Sequence, residues 1–396
     1  MASQQKPDMC NVREVKEASA DSLDGWSLPS WTYDDPEFAK VEADRIFRPG
    51  WQVVCHVSDV PHAGDWHAID YIGESVIVVR GADRVIRAFT NVCRHRGSRL
   101  VDGSSGCAKK LVCPYHAWTY DLDGRLTGVP DSASYPTLDR EKAGLVPVEL
   151  EIWQGFIFVR LESGGPSVAA MMAPYESQIA PYRFEDLTAL GRVTLRHREV
   201  NWKNVGDNYS DGLHIAVAHP GLTRLFGKSY GVEAEPLVDR MWGDLVERPS
   251  PNWSERLYQK LLPMVPHLPE ANQRRWLYFK LWPSVAFDIY PDQVDFMQWL
   301  PTGPTSCVIR EISYVLPDSR REMRAARYLN WRINRQVNAE DTVLITRVQQ
   351  GMASRSFSLG PLSDKEVCLK GFCAHVRNLI PEAKLEHRPK AGWSNR

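Results

Sequence analysis

Two short segments restrict this chain more than any other feature. Cys93-Arg94-His95 and Cys113-Pro114-Tyr115-His116 each pair a thiol with an imidazole, and seventeen residues separate them. Both fall in a region patterned as a small antiparallel β domain. WQVVCHV, WHAIDYI, SVIVVR and VIRAFTNVC are β-branched and aromatic runs broken by turn residues such as Gly81-Ala82-Asp83. WTYDLDGRLTG reads as a hairpin turning at Asp123-Gly124, and β character continues to Leu161. Two thiolates and two imidazoles on such loops suit either a tetrahedral zinc or a two-iron cluster in which histidines replace two cysteines on one iron.

With 396 residues the chain has room for two domains, or for one large domain with an insertion. A net charge of −1 gives no electrostatic case for nucleic acid or an anionic membrane. No apolar run approaches the roughly 20 residues of a spanning helix. The N-terminal stretch lacks the apolar centre of a signal peptide, so the expectation is a cytoplasmic protein. In that setting the cysteines are expected as reduced thiols or metal ligands rather than disulfides.

A Gly/Pro/Ser run from Ser163 to Ala170 marks a domain boundary, and MMAPYESQIAPYRFEDLTAL reads as one or two helices broken at Pro181. RVTLRHREVNW is strand-like, with His197 read as structural, and it leads into NWKNVGDNYSDGLHIAVAHP. That segment sets Asp207, Asp211, His214 and His219 within thirteen residues. On a helix from Asp207 to Ala218, Asp207, Asp211 and His214 share one face. His219 lies about 140° from His214 on a regular helix, so a shared metal predicts a widened, π-type turn between them. Two histidines with a distant carboxylate form the facial triad of non-haem Fe(II) oxygenases. Residues 329–352 carry a helical apolar stripe in which Asp341 falls, with Glu340 displaced from it. The competing reading is a buried Asp341 paired with Arg335 or Arg347.

CRHRGS at 93–98 and CPYHAW at 113–118 resemble the Rieske family. Ser98 and Tyr115 stand where the respiratory-chain branch has disulfide cysteines, so the resemblance is to the oxygenase and ferredoxin branch. N-W-K at 201–203, D-N-Y at 207–209, D-x-x-H-x-x-x-x-H at 211–219 and E-D followed by V-Q-x-G at 340–351 extend it over nearly the whole chain. Together they resemble the large (alpha) subunit of Rieske non-haem iron oxygenases, the ring-hydroxylating dioxygenase family. The resemblance implies an α+β fold, with an N-terminal all-β Rieske domain at 48–162 and a helix-grip catalytic domain, an antiparallel sheet covered by helices, from 1–47 and 163–396. Cys93, His95, Cys113 and His116 would hold a [2Fe–2S] cluster, and His214, His219 and Asp341 a mononuclear Fe(II). Asp211 would bridge an iron-bound histidine to a Rieske histidine of a neighbouring subunit, Asn208 would stand close to the iron, and Asp207 would be a structural or proton-relay acid. A homotrimer follows, alone or with a small beta subunit. No G-x-G-x-x-G opens a helix here. O2 would be the cosubstrate, with electrons from NAD(P)H arriving through a separate reductase, directly or through a ferredoxin.

The segment from Trp276 to Pro317 reads as three or four antiparallel strands, and most of its aromatics (Trp276, Tyr278, Phe279, Trp282, Phe287, Tyr290, Phe296, Trp299) read as core. D-N-Y-S-D-G-L-H is spaced one residue tighter than in the ring-dihydroxylating branch and looks like the branch that oxidises choline, betaines and carnitine. Asp211, where that branch often has glutamate, points the other way, so both substrate classes stay open. Asp288 beside Tyr290 is a candidate for cation recognition. The rival readings are a Rieske electron carrier or redox sensor, which has no need of His214, His219 and Asp341, and a zinc hydrolase, which leaves the Cys/His loops without purpose.

Overall fold

Alternating apolar runs build the first half of the chain into an antiparallel sheet. In the computed structural model, which describes residues 23–395, its seven strands lie in the order Gln52–His56, Phe156–Arg160, Pro147–Trp153, Ile86–Thr90, Glu74–Arg80, Asp65–Tyr71 and Ser105–Cys107. The polar N-terminal tail, Cys10 included, lies outside the described residues. A three-stranded sheet of Leu111–Val112, Thr119–Tyr120 and Leu126–Gly128 flanks the large one, with Gly124 at φ +87° in the expected turn. Trp66, Phe89, Leu100, Trp118 and Tyr120 pack with Cys93 and Cys113 into this region's own core.

A second antiparallel sheet orders Thr188–Ala189, Ser306–Val315, Val294–Gly303, Val285–Ile289, Arg275–Leu281, Val238–Asp244 and Gly231–Ala234, with Thr194–Arg198 also paired to Ser306–Val315. Its four central strands are those expected from the sequence. Trp276, Phe279, Phe287 and Trp299 are fully buried, as expected of core aromatics. Six helices matter for the site: α1 (Pro36–Glu42), α2 (Trp202–Ser210), α3 (Ile215–Ala218), α4 (Pro220–Phe226), α5 (Arg321–Met352) and α6 (Val367–Leu379). Asp35 caps α1, with Pro36 at its first position, and Asn201 caps α2 by accepting from the Lys203 amide. The stretch around Pro181 is more broken than one or two helices, falling into single turns between Val168 and Asp186.

The two sheets share one core. Phe156 lies 4.8 Å from Phe287 and 5.1 Å from Tyr314, ring centre to ring centre, and each such fully buried ring contributes roughly 1.5–3 kcal/mol. Arg310 donates to the carbonyls of Val53 (2.9 Å) and Val54 (3.1 Å), fastening the second sheet to the first strand of the first.

The start of α2 is held by buried charge. Lys203 Nζ reaches Glu42 Oε1 at 2.5 Å and the Thr32 carbonyl at 2.9 Å, while Trp202 Nε1 donates to Glu42 Oε2 at 3.1 Å. Burial lowers the Lys203 ammonium and raises the Glu42 carboxyl, each opposed by the other's charge. Removing one member strands the other in apolar packing. Lys203→Met should therefore destabilise the fold by about 3–5 kcal/mol, read as a lowered thermal midpoint, and adding Glu42→Leu should restore much of the loss. Equal midpoints for wild type and Lys203→Met would contradict this account.

Candidate metal centres

The segment from Asn201 to Pro220 is not one helix. α2 ends at Ser210, Asp211 turns extended (φ −78°, ψ 114°), and α3 is a single turn between the two histidines. The expected π-type widening does not occur there, since Ala218 N→His214 O (2.7 Å) and His219 N→Ile215 O (3.1 Å) are ordinary i+4 bonds. A break does what the widening was expected to do. His214 precedes the turn, and His219 follows it at φ −114°, ψ 75°, outside the helical region. Pro220 cannot continue α3 and begins α4. The one π-helical turn among the described residues, Ala43–Phe47, lies elsewhere.

Released from one cylinder, the rings converge. His214 Nε2 is 3.1 Å from His219 Nε2 and 3.6 Å from Asp341 Oδ1, and His219 Nε2 is 3.0 Å from that same oxygen. Ligand atoms about 2.1 Å from a shared ion lie roughly 3.0 Å apart at right angles and 3.4 Å apart at tetrahedral angles. The three atoms therefore suit one face of a single metal ion, leaving its opposite side open. Asp341 pairs with the two histidines rather than with Arg335 or Arg347, because its side of α5 faces α2.

Each imidazole is fixed from behind by a carboxylate. Asp211 Oδ2 lies 3.2 Å from His214 Nδ1, and Glu340 Oε2 lies 2.8 Å from His219 Nδ1. Gln336 donates to the other Glu340 oxygen at 2.9 Å. Burial pushes the His214 imidazolium down, but Asp211 and Asp341 outweigh it and raise the group to about 9. Burial likewise works to raise Asp341, and the two histidines hold it below the usual carboxylate range. Asn208 Nδ2 stands 3.0 Å from Asp341 Oδ1 and 3.2 Å from His214 Nε2. Asp207 lies one turn behind Asp211, accepts from Tyr33 Oη at 2.6 Å, and is raised by burial to about 6. The sequence pattern alone does not assign a role to Glu340 or Tyr33. The displacement of Glu340 from the apolar stripe is the available signal, for it carries that side chain past the metal-facing side and onto the back of His219.

The Cys/His loops repeat one backbone design. Cys93 N donates to Ser98 O and Gly97 N to Cys93 O (2.8 and 3.1 Å), and Cys113 N donates to Trp118 O and Ala117 N to Cys113 O (2.8 and 3.0 Å). Gly97 and Ala117 both take positive φ, +73° and +55°, to close these turns. Both thiols are buried, and the His95 and His116 rings lie 4.6 Å apart. His95 stacks on Trp118 at 4.9 Å and 8° between planes. Its buried Nδ1 has no hydrogen-bond partner, which fits a nitrogen reserved for a metal. Among the described residues every cysteine is a free thiol, and none occupies position 98 or 115.

A cavity of about 290 Å³ opens beside the His214–His219–Asp341 trio. Tyr209, Tyr230, Tyr278, Asp288, Asp295 and Glu311 contribute to its wall, and so do Arg192, Arg196, Arg198 and Arg335.

A profile described as the ring hydroxylating alpha subunit (catalytic domain) matches residues 184–382, and one described as the Rieske [2Fe-2S] domain matches residues 50–139. The carnitine monooxygenase oxygenase subunit of Escherichia coli K12 is 30% identical over 375 residues, covering 92% of this chain and 95% of that protein. The glycine betaine monooxygenase oxygenase subunit of Chromohalobacter salexigens is 34% identical over 246 residues, covering 61% of this chain and 55% of its own. A quaternary ammonium Rieske monooxygenase of solved structure superposes with a TM-score of 0.76 at 23% identity, covering 92% of this chain and 98% of its own. Naphthalene 1,2-dioxygenase does so at 0.72 and 20%, covering 92% and 97%. This chain is an alpha subunit of the Rieske non-haem iron oxygenases. Its cofactors are accordingly a Rieske [2Fe–2S] cluster and a mononuclear iron, with O2 as cosubstrate and electrons supplied by a reductase.

Glu340 fixes the ring of His219, so Glu340→Ala should weaken Fe(II) or Co(II) uptake by the apoprotein roughly 10- to 100-fold. Anaerobic metal titration checks this, with wild-type affinity in the variant as the contrary result.

Proposed function

We propose that this chain is the terminal oxygenase of a multicomponent system that hydroxylates a carbon bound to the nitrogen of a small quaternary ammonium compound. The observation that carries the reading is one part of the cavity wall, where tyrosines meet Asp288 and Asp295, carboxylates in no salt bridge among the described residues, while Arg196 elsewhere on the wall is paired with Glu311. That part of the wall suits a cation and suits a neutral hydrocarbon poorly. The activities of the carnitine and glycine betaine relatives support the same choice.

In this reading residues 48–162 receive electrons and the remainder oxidises the substrate. Cys93, His95, Cys113 and His116 hold the cluster, and His214, His219 and Asp341 hold the iron. When bound, the cluster supplies single electrons, and the iron supplies one more together with the site where O2 is activated. The net change inserts one oxygen atom into the C–H bond and reduces the other to water with two electrons and two protons. In the resulting carbinol the C–N bond breaks with its electron pair going to nitrogen, giving a carbonyl compound, a tertiary amine and the proton released from the hydroxyl.

The protein's part is orientation and exclusion of water. Asp211 and Glu340 keep both Nδ1 atoms occupied, so each Nε2 is the free nitrogen. Asn208 holds the Asp341 carboxylate from the side. Asp211 also borders an exposed apolar pair, Leu213 (41% exposed) and Val217 (88%), while Tyr115 (56%) projects beside His116 at the tip of the Rieske loops. These surfaces suit contact between copies of the chain, which would bring a neighbour's His116 or His95 to Asp211, as in a homotrimer. One solved relative is described in terms of inter-subunit electron transfer.

Holoprotein should contain three irons per chain, and His214→Ala should lose one while keeping the Rieske absorption and losing all but about 1% of turnover. With a surrogate reductase, NADH-dependent O2 uptake should rise with glycine betaine, carnitine or choline, and with equimolar release of a carbonyl product. Stimulation by naphthalene alone would refute the substrate class. Copies bearing His116→Ala and copies bearing His214→Ala, each inactive alone, should regain activity when assembled together; no recovery in mixed oligomers argues for transfer within one chain.

A further inference from the structure

The cavity floor holds an arrangement that a sheet does not adopt without compensation. Asp288, on the strand Val285–Ile289, stands directly opposite Asp295, on the strand Val294–Gly303. Like charges in this cross-strand position destabilise a sheet. Both side chains line the cavity, and neither is in salt-bridge contact with a lysine, arginine or histidine among the described residues. Asp288 accepts from Tyr209 Oη (2.5 Å) and more distantly from Tyr290 Oη (3.5 Å), and Asp295 accepts from the Gln293 amide (2.7 Å). Glu311, on the next strand, differs in being paired with Arg196. Burial raises both aspartates, Asp288 to about 7, as expected of acids that lack a positive partner.

Aromatic rings surround this pair. Tyr278 faces Asp288 across the sheet, Tyr230 lies 6.5 Å from Tyr278, and Tyr209 brings its own ring to the same wall. Tyr209 also follows Asn208, whose amide touches Asp341 and His214. A group bound at the aspartates therefore occupies the same cavity as the trio.

We infer that Asp288 and Asp295 together form the cation subsite of the cavity, setting the substrate's positive nitrogen against the sheet floor under Tyr209 and Tyr278, with its attached carbons turned toward His214, His219 and Asp341. This rests on the quaternary ammonium reading above and adds the residues that enforce it. A permanent positive charge between the two carboxylates relieves their repulsion, and the ring faces stabilise its methyl groups. A neutral isostere of the same shape leaves both carboxylates uncompensated, so the subsite selects by charge rather than by volume.

The test compares choline with its neutral tert-butyl analogue, and adds tetramethylammonium as a bare cation, all titrated into holoenzyme by calorimetry. Wild type should favour each cation over the neutral analogue by at least about ten-fold. Asp288→Asn should lower cation affinity roughly 10- to 100-fold, leave the neutral analogue within about three-fold, and raise KM for a cationic substrate far more than it lowers kcat. Asp295→Asn should do the same, and it carries the test if Asp288→Asn fails to fold. Parallel loss of cation and neutral affinity would mean a merely structural role and overturn the assignment, as would an undiminished cation preference in both variants. Wild type that binds tetramethylammonium at these residues but oxidises no quaternary ammonium compound would sink the functional reading and leave the subsite standing.

Discussion

The chemistry of the second domain depends on bringing two imidazole nitrogens and one carboxylate oxygen within 3.0–3.6 Å of one another beside the cavity. Three polar atoms so close are costly unless an ion binds them, and they must be placed before it arrives. Placement is achieved from outside the trio. Gln349, two turns beyond Asp341 on α5, accepts from the Asn201 amide (2.7 Å) and from Asn204 Nδ2 (2.8 Å) at the start of α2. That stitch sets the register of α5 against α2, and the Lys203–Glu42 pair ties the same end of α2 to α1. A helix slipped by one residue would turn Asp341 by about 100° away from the histidines.

This dependence explains which parts of the structure are legible in the sequence. The two sheets are legible because alternation and turn residues are local signals, and most of the expected strands lie within a residue or two of their predicted limits. The Cys/His loops are legible because the pairing of residue types is itself unusual. Asp341 can be found because a buried acid on an apolar stripe demands a partner, though periodicity does not say whether that partner is an arginine or a metal. The break at Asp211 is hidden for a physical reason. N-Y-S-D-G-L-H contains no proline, and its one glycine does not choose between a kink, a bulge and a stop, so the local pattern is compatible with continued helix. The folded chain decides the matter, through the Leu213 amide bonding to Asp211 Oδ1 at 2.7 Å. Glu340 and Gln349 are hidden as participants because their partners lie more than 120 residues away in sequence.

The same break gives Asp211 two faces. Had the helix run on, Asp211 would stand one turn below the next residue of its face, enclosed by helix on either side. Placed instead as the first extended residue after α2, it offers one oxygen to the Leu213 amide and the other to His214 Nδ1, while Leu213 and Val217 stand at the surface next to it. His219 itself is nearly fully buried, while the Glu340 side chain behind it keeps 22% of its surface, about as much as Asp211 does at 21%. The two imidazoles thus differ in their own burial, His214 keeping 18% of its side-chain surface and His219 2%, while the carboxylates behind them are equally exposed. Asp211 and Glu340 are both carboxylates hydrogen-bonded to an imidazole Nδ1, and what distinguishes Asp211 is the break in α2, which also puts Leu213 at the surface beside it.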